Sequence, residues 1–166
     1  MIKTEIKHDG ITPALEALAR HLGNKRALMD ELGELAVKQT KDRFPTGTAP
    51  DGTRWAAKSQ TTLDSYGARK SNRVDRRPLY GPSGRLSSEI FHIAADASVE
   101  WGSALIYAGV MQFGAAKGAF GAMPNGASIP WGRIPARPFV GLSDDNATQL
   151  TEAVYEWLEG GVQGGV

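Results

Sequence analysis

Cysteine and long apolar runs are both missing from this sequence of 166 residues. The absence of cysteine excludes disulfide bonds and metal centres with thiolate ligands. No apolar window approaches the roughly 20 residues that a membrane-spanning helix needs. The first residues, Met-Ile-Lys-Thr-Glu-Ile-Lys, alternate charged and apolar side chains, whereas a signal peptide has a continuous apolar segment. We therefore expect a protein that is made and folded in the cytosol and does not associate with a membrane.

Groups suited to catalysis or metal binding are also scarce. The three histidines, His8, His21 and His92, are isolated from one another and show no metal-binding spacing. No Gly-x-Ser-x-Gly nucleophile motif occurs, and Asp144-Asp145 is interpreted as the acidic start of a helix. A small hydrolase that uses His92 with Glu89 is the least favoured hypothesis. We predict that the protein is not an enzyme and carries no cofactor and no metal ion.

Net charge gives little information about partners, because 19 basic and 18 acidic residues leave a formal charge of +1. The distribution of charge is more informative. A basic run occupies the segment 69-RKSNRVDRR-77 and consists of Arg69, Lys70, Arg73, Arg76 and Arg77. Such a run is able to neutralise DNA phosphates, to bind an acidic protein, or to remain a solvated loop. All three interpretations stay open at this point.

Glycine and proline are abundant, at 20 and 9 residues, and apolar residues make up 41% of the chain. A chain of this length forms one ordinary domain, so we predict a single domain over residues 1–166 with a modest core. Long irregular segments are expected at 45–82, which includes the basic run, and at 114–132, which is too rich in glycine and alanine to order itself. The tail at 160–166 is expected to fray.

The remaining segments show regular periodicity. Alternation of side chains predicts a strand at 2–8 and a hairpin formed by 86–95 and 97–103, while apolar residues at helical spacing predict four helices. The predicted helices run from Thr12 to Gly23, from Asn24 to Phe44 with Pro45 as the stop, from Ile106 to Phe113, and from Asp144 to Glu159. The predicted fold is α+β: a small antiparallel sheet packed with two or three helices, long inserted loops and an extended arm bracketed by prolines.

This arm is the segment 134-IPARPFVGLS-143. Pro135 and Pro138 remove two backbone donors, so the segment is an edge strand or an extended arm and not a central strand. Arg137 lies between the prolines, with a guanidinium available to a carboxylate or a backbone carbonyl. Phe139 supplies an apolar contact.

Short motifs along the chain occur in the order found in one known family. They are Phe44, Pro50-Asp51-Gly52-x-x-Trp55, Leu79-Tyr80, Gly84-Arg85-Leu86, 101-WGS-103, 107-YAGVMQFG-114 and 134-IPARPFVGLS-143. In this order they resemble the phage virion morphogenesis family, the tail-completion proteins of Mu-like and P2-like bacteriophages, over roughly residues 40–158. The family commonly has a histidine where this chain has Met111, which favours packing over chemistry at this motif. We predict a packing role for Trp55, Trp101, Tyr107, Gln112 and Phe113.

The resemblance implies a structural protein of the virion neck. Such proteins are expected to form a ring, expected to be a hexamer, at the head-proximal end of the tail, with the tail tube and the head-closure or connector proteins as partners. We predict a subunit interface at Ile134, Pro135, Arg137, Pro138 and Phe139; the alternative is an internal edge strand. The basic run is expected to contact an acidic ring partner or genomic DNA in the lumen, and a nucleic-acid-binding module is the alternative function.

Overall fold

The computed structural model describes residues 11–68, 75–130 and 132–163. These residues form six helices and one two-stranded antiparallel sheet, so the predicted α+β class is confirmed. The helices are α1 (Ile11–Gly23), α2 (Lys25–Thr46), α3 (Gln60–Ala68), α4 (Arg85–Ser88), α5 (Ala108–Phe113) and α6 (Asp144–Gln163), and the strands are β1 (Phe91–Ala94) and β2 (Val99–Gly102). None of these helices is both long enough and apolar enough to cross a membrane. The predicted strand at 2–8 and residues Arg69, Lys70 and Arg73 of the basic run lie outside the described residues.

The long helix α2 packs against both the hairpin and α6. Towards the hairpin, Asp30 Oδ1 is 2.8 Å from His92 Nε2, and Gly33 lies so close to the His92 ring that a Cβ atom would overlap it. Towards α6, Gln39 Nε2 donates to Gln149 Oε1 at 2.9 Å. With about 3.6 residues per turn, Gly33 and Gln39 point about 120° apart around the helix axis. The hairpin and α6 therefore pack on adjacent faces of α2.

The N-terminal helix α1 packs on α6. The ring centroids of His21 and Trp157 are 3.8 Å apart, and a ring nitrogen of His21 lies 2.7 Å from the Trp157 carbonyl oxygen. Gly161 is buried against the same imidazole, which holds the end of α6 in place. The helix α6 continues to Gln163, past the predicted end at Glu159.

The end of α2 differs from the prediction, because Pro45 does not stop the helix. The helix continues to Thr46 and is ended by Gly47, which has a left-handed φ of 67°. The Gly47 N–H donates to the Arg43 carbonyl oxygen at 2.8 Å and caps the last turn. Glycine adopts this backbone conformation without the steric strain of a Cβ atom, so the true stop signal is Gly47.

The segment at 45–82, predicted to be a long loop, contains the helix α3. The Ser59 side chain caps this helix, since the Thr62 N–H donates to Ser59 Oγ at 3.3 Å. No residue of α3 is buried, so its sequence lacks the apolar periodicity from which the other helices are predicted. The chain turns at Gly52, whose N–H donates to the Ala49 carbonyl at 2.9 Å.

The predicted hairpin is confirmed, with Phe91 paired to Gly102 and Ala94 paired to Val99. It is shorter than predicted, because the chain before β1 forms the short helix α4 and buries Leu86 from that helix. Apolar residues around a single helical turn cannot be distinguished from a strand by periodicity alone.

The segment at 114–132 is irregular, as predicted, but the expectation that it has no order of its own is wrong. Its two limbs exchange backbone hydrogen bonds: Phe120 N–H donates to the Ile129 carbonyl at 2.7 Å, and Ile129 N–H donates to the Gly121 carbonyl at 2.7 Å. A backbone bridge between Ala115 and Ile134 closes the base of the segment. The composition of this segment provides little apolar surface to bury. Backbone hydrogen bonds between its two limbs hold it together instead.

Candidate functional site

The motifs that carry the family resemblance converge on one buried cluster. Phe44 is 1% exposed, Trp55 is 7% exposed and Phe139 is 2% exposed. The ring of Phe44 lies 5.5 Å from that of Trp55 and 5.7 Å from that of Phe139, measured between centroids. Leu79, Leu86 and Ala108 complete the same core. Residues far apart in the sequence therefore share one interior, and the predicted packing role of Trp55 is observed.

Arg137 lies inside the chain, at 6% exposure. Its Nε donates to the Ala56 carbonyl oxygen at 2.7 Å, and its Nη2 donates to the Ala57 carbonyl oxygen at 2.9 Å. Burial lowers the pKa of the Arg137 guanidinium from its ordinary value. The two hydrogen bonds from the guanidinium thus anchor the arm to the extended segment that follows Trp55.

Gln112 fixes the next part of the arm. Its Oε1 accepts the backbone N–H groups of Phe139 at 2.9 Å and Val140 at 3.1 Å, and its Nε2 donates to the Val140 carbonyl at 2.9 Å. The Gln112 amide therefore supplies the hydrogen-bond partners that a neighbouring strand would otherwise give to Phe139 and Val140. This is the packing role predicted for Gln112, in a polar form that the sequence does not reveal.

Two further side chains bond to the arm carbonyls. Trp55 Nε1 donates to the Pro138 carbonyl at 2.7 Å, and Arg43 Nη1 donates to the Phe139 carbonyl at 2.9 Å. Arg43 also contacts Asn146 Oδ1 at the start of α6, and burial lowers its pKa. Arg43 was missed by the sequence analysis, although it directly precedes the motif residue Phe44. The arm is thus an extended segment that packs against the rest of the same chain.

This geometry bears on the predicted subunit interface. The side chains of Arg137 and Phe139 are used within the single chain, so neither is available to a neighbouring copy. Ile134, Pro135 and Pro138 are partly exposed, and an interface at the arm stays a prediction that rests on these three residues.

The other three predicted packing residues differ from one another in how far they are buried. Trp101 Nε1 donates to Thr40 Oγ1 at 3.2 Å and fixes β2 to α2. Tyr107 is 38% exposed and Phe113 is 80% exposed. Phe113 is therefore mostly in water, in contrast to its neighbour Gln112, and it borders a pocket of about 400 Å³ that Ile134 and Ala136 of the arm also line.

In the described part of the basic run, Arg77 contacts neighbouring side chains. Arg77 Nη2 lies 2.5 Å from Asp75 Oδ2, and the guanidinium carbon lies 3.6 Å from the Tyr80 ring centroid. The hydrogen bond from Arg77 lowers the pKa of Asp75. Lys58 donates to the carbonyl oxygens of Asp75 and Tyr80. Arg76 and Arg77 are both exposed, and Arg77 is held in place by Asp75 and Tyr80. Contact of the basic run with DNA or an acidic partner stays a prediction.

A continuous stretch of the chain, residues 106–123, exposes several large apolar side chains. Ile106 is 99% exposed, Phe113 is 80% exposed, Phe120 is 56% exposed and Met123 is 47% exposed. We call these four residues the exposed apolar stretch. Apart from Phe113 they were missed by the sequence analysis, although Phe120 and Met123 are conspicuous in a segment otherwise rich in glycine and alanine.

The described residues do not assemble the groups of the hydrolase hypothesis. His92 pairs with Asp30, while Glu89 pairs with Arg85, whose Nε lies 2.5 Å from Glu89 Oε1. A cleft of about 930 Å³ lies between the end of α2 and the start of α6 and is open and polar. No group of three histidine, aspartate or glutamate side chains suited to a metal ion occurs in the part of the chain that the structure covers.

Comparison with known proteins gives one match. The model of a family described as the phage virion morphogenesis family matches residues 6–159, which is most of the chain. A comparison with curated proteins and with solved structures gives no match. The match includes the first helices, beyond the residues that carry the resemblance in the sequence motifs.

Proposed function

The chain belongs to the phage virion morphogenesis family, and on that premise we propose that it completes the phage tail as a ring at the head-proximal end. The family indicates a structural or assembly role in the virion. The proposal adds the place of the protein at the neck, the ring of identical copies, and partners in the tail tube and the head-closure ring. It gives the protein no catalytic step.

The exposed apolar stretch is the observation that carries the proposal. Scattered apolar residues are normal on a protein surface, but here four large side chains occur within residues 106–123, and Ile106 is almost completely in water. Apolar surface of this kind is typical of proteins that bury it against a partner. A second copy of the chain is the partner that a ring supplies.

A ring requires two different surfaces on each copy, because every subunit contacts its neighbours head to tail. The exposed apolar stretch provides one surface. The interior contacts of Arg137 and Phe139 support the proposal, because they hold the arm in place within each copy. Cyclic closure then repeats a modest contact around the ring without leaving an unpaired end.

The test is the oligomeric state of the purified protein and of the double variant Ile106→Ser/Phe113→Ser, measured by native mass spectrometry. We expect a ring for the parent, with six copies, and a loss of at least tenfold in ring population for the variant. Both residues are exposed in the single chain, so the variant should keep its far-ultraviolet circular dichroism spectrum. Electron microscopy of assembled tails incubated with each protein then shows whether the ring occupies the tail end.

The matched control is Tyr155→Ser on α6, since Tyr155 is 62% exposed and lies outside the exposed apolar stretch. It should leave the ring unchanged. A parent protein that forms no ring, either alone or on tails, would contradict the proposed function. Rings of undiminished stability in the double variant would remove the exposed apolar stretch as its basis.

A further inference from the structure

The middle of the segment at 114–132 is both ordered and exposed. The backbone turns after Met123, whose N–H donates to the Ala127 carbonyl at 2.8 Å and whose carbonyl accepts the Gly126 N–H at 2.9 Å. Every residue from 119 to 127 is nevertheless exposed. We call residues 117–127 the tip loop. A loop that is fixed in shape and exposed along its length loses little conformational freedom when it binds a partner.

The tip loop combines apolar and basic side chains. Phe120 is 56% exposed and Met123 is 47% exposed. Lys117 is exposed as well, and the sequence from 114 to 133 contains no aspartate or glutamate. Within the described ranges of the chain, Lys117 forms no ion pair. A surface that binds this loop is therefore expected to combine negative charge with apolar contact.

The cleft of about 930 Å³ between the end of α2 and the start of α6 carries negative charge. Four of its lining residues are aspartates: Asp42, Asp51, Asp144 and Asp145. The two cations that line it have partners within the chain, because Lys38 pairs with Asp42 at 2.8 Å and Arg43 donates to the Phe139 carbonyl at 2.9 Å. The other three aspartates form no ion pair with the residues that the structure describes. Acidic groups are therefore in excess in the cleft.

The same cleft supplies apolar contact and an acceptor without a donor. Leu142 lines it and is 45% exposed. Gln39 also lines it and is 7% exposed, and its Oε1 accepts no hydrogen bond from any described residue. Buried acceptors normally have a partner. The cleft therefore has the composition expected of a surface that binds basic and apolar side chains.

We propose that the tip loop of one copy enters the cleft between α2 and α6 of the next copy. Phe120 and Met123 bring apolar surface to Leu142, and Lys117 lies among the aspartates at the start of α6. The inference rests on the proposed ring and names the two surfaces through which its subunits join.

The arm connects these two surfaces within each subunit. Ile134 at its start forms a backbone bridge with Ala115 at the base of the loop, and Leu142 beyond its other end lines the cleft. Arg137, between them, anchors the arm to the body of the subunit. A copy that offers a loop at one end of the arm and a cleft at the other contacts its neighbours head to tail, which is the kind of contact that closes into a ring.

The first test uses two full-length chains that each lack one surface. One carries Phe120→Ser/Met123→Ser and keeps the cleft, and the other carries Leu142→Ser/Asp145→Lys and keeps the tip loop. Each chain alone should be monomeric. Their equimolar mixture should give a dimer and no larger species, because only one contact remains between them. Sedimentation velocity at low ionic strength, where charges are least screened, measures these species.

The second test exchanges the charges of the contact. Lys117→Glu and Asp145→Lys should each lower the ring population by at least tenfold, and the chain that carries both changes should recover it to within about threefold of the parent. Any cost of Asp145→Lys to the folding of α6 is also present in the double variant, so recovery reports on the contact alone. Lys25→Glu and Asp96→Lys reverse exposed charges outside both surfaces and should leave the ring unchanged.

The proposal is overturned if the mixture of the two chains stays monomeric, or if the double charge variant assembles no better than the single variants. Native mass spectrometry of the parent reports separately on the ring. Parent rings with either of these results would refute the contact of loop and cleft and leave the proposed function intact. A dimer in the mixture, with a parent that forms no ring alone or on tails, would support the contact and contradict the ring.

Discussion

Phe139 of the arm and the exposed apolar stretch at residues 106–123 differ in how their apolar side chains are placed. Phe139 is 2% exposed, and its backbone groups bond to Gln112 and Arg43. In the exposed apolar stretch, Ile106 and Phe113 are 99% and 80% exposed. Phe139 is thus covered within one chain. The stretch leaves apolar surface in water, where contact with another molecule would be favourable.

This difference separates two ways in which a substitution could abolish the proposed ring. A change in the arm removes contacts that fold the subunit, so any loss of assembly follows from unfolding. A change in the exposed apolar stretch leaves the subunit folded and acts on contacts between molecules. Stability measurements on the same variants are therefore needed to interpret any loss of rings.

The largest expected effect compares two phenylalanines. Phe139→Ala should lower the free energy of unfolding by about 3–5 kcal/mol, because it opens a cavity beside Phe44 and Trp55. Phe113→Ala should change it by less than about 0.5 kcal/mol, because the side chain is already in water. Urea unfolding of dilute protein measures both values.

A small effect of Phe139→Ala, within about 1 kcal/mol, would mean that the arm is not part of the subunit core. A large effect of Phe113→Ala in dilute protein would mean that this side chain is covered within the single chain. Either result would remove the contrast between the two regions.

The next effect compares two arginines of the same segment. Arg137→Met should lower the free energy of unfolding by about 2 kcal/mol, because the carbonyl oxygens of Ala56 and Ala57 lose a charged donor. Arg133 is exposed, so Arg133→Met should lie within about 0.5 kcal/mol of the parent. Thermal unfolding followed by circular dichroism provides the measurement. Equal values for the two variants would show that the buried guanidinium does not fasten the arm.

The sequence predicts the elements whose apolar residues repeat at a regular spacing. The helix α2 is recovered because it buries one face, and the hairpin of β1 and β2 is recovered because half-buried and exposed residues alternate along β1. The helix α3 is missed because none of its residues is buried. Pro45 and Gly47 show a second difficulty: both are possible stop signals two residues apart, and only the backbone geometry shows that the glycine ends the helix.

The partners of polar side chains are harder to predict than the elements. The prolines around Arg137 predict an extended arm correctly, and the sequence even limits its guanidinium to a carboxylate or a backbone carbonyl. It does not show that the carbonyls are those of Ala56 and Ala57 in the same chain. This pairing depends on how two segments more than 70 residues apart meet in three dimensions, which local periodicity does not contain.

The smallest expected effect concerns the ion pair of Asp75 and Arg77, which lies near the surface. The hydrogen bond from Arg77 lowers the pKa of Asp75 below its ordinary value of 3.8. A carboxylate with a lowered pKa in the folded state stabilises the protein above its unfolded pKa, and this stabilisation is lost as the pH falls through the folded pKa. Asp75→Asn should therefore lower the urea midpoint slightly at pH 7, and the difference from the parent should shrink as the pH falls below about 4.

The control for this pair is Asp96→Asn in the hairpin turn, because Asp96 is also exposed but belongs to a different segment. It reports how a removed surface charge alone affects the urea midpoint. A difference between Asp75→Asn and the parent that stays constant from pH 7 to pH 3 would mean that the ion pair does not contribute to folding. In that case Arg77 would be held by its stacking on Tyr80 alone, and its charge would be open to a partner in the same way as that of Arg76.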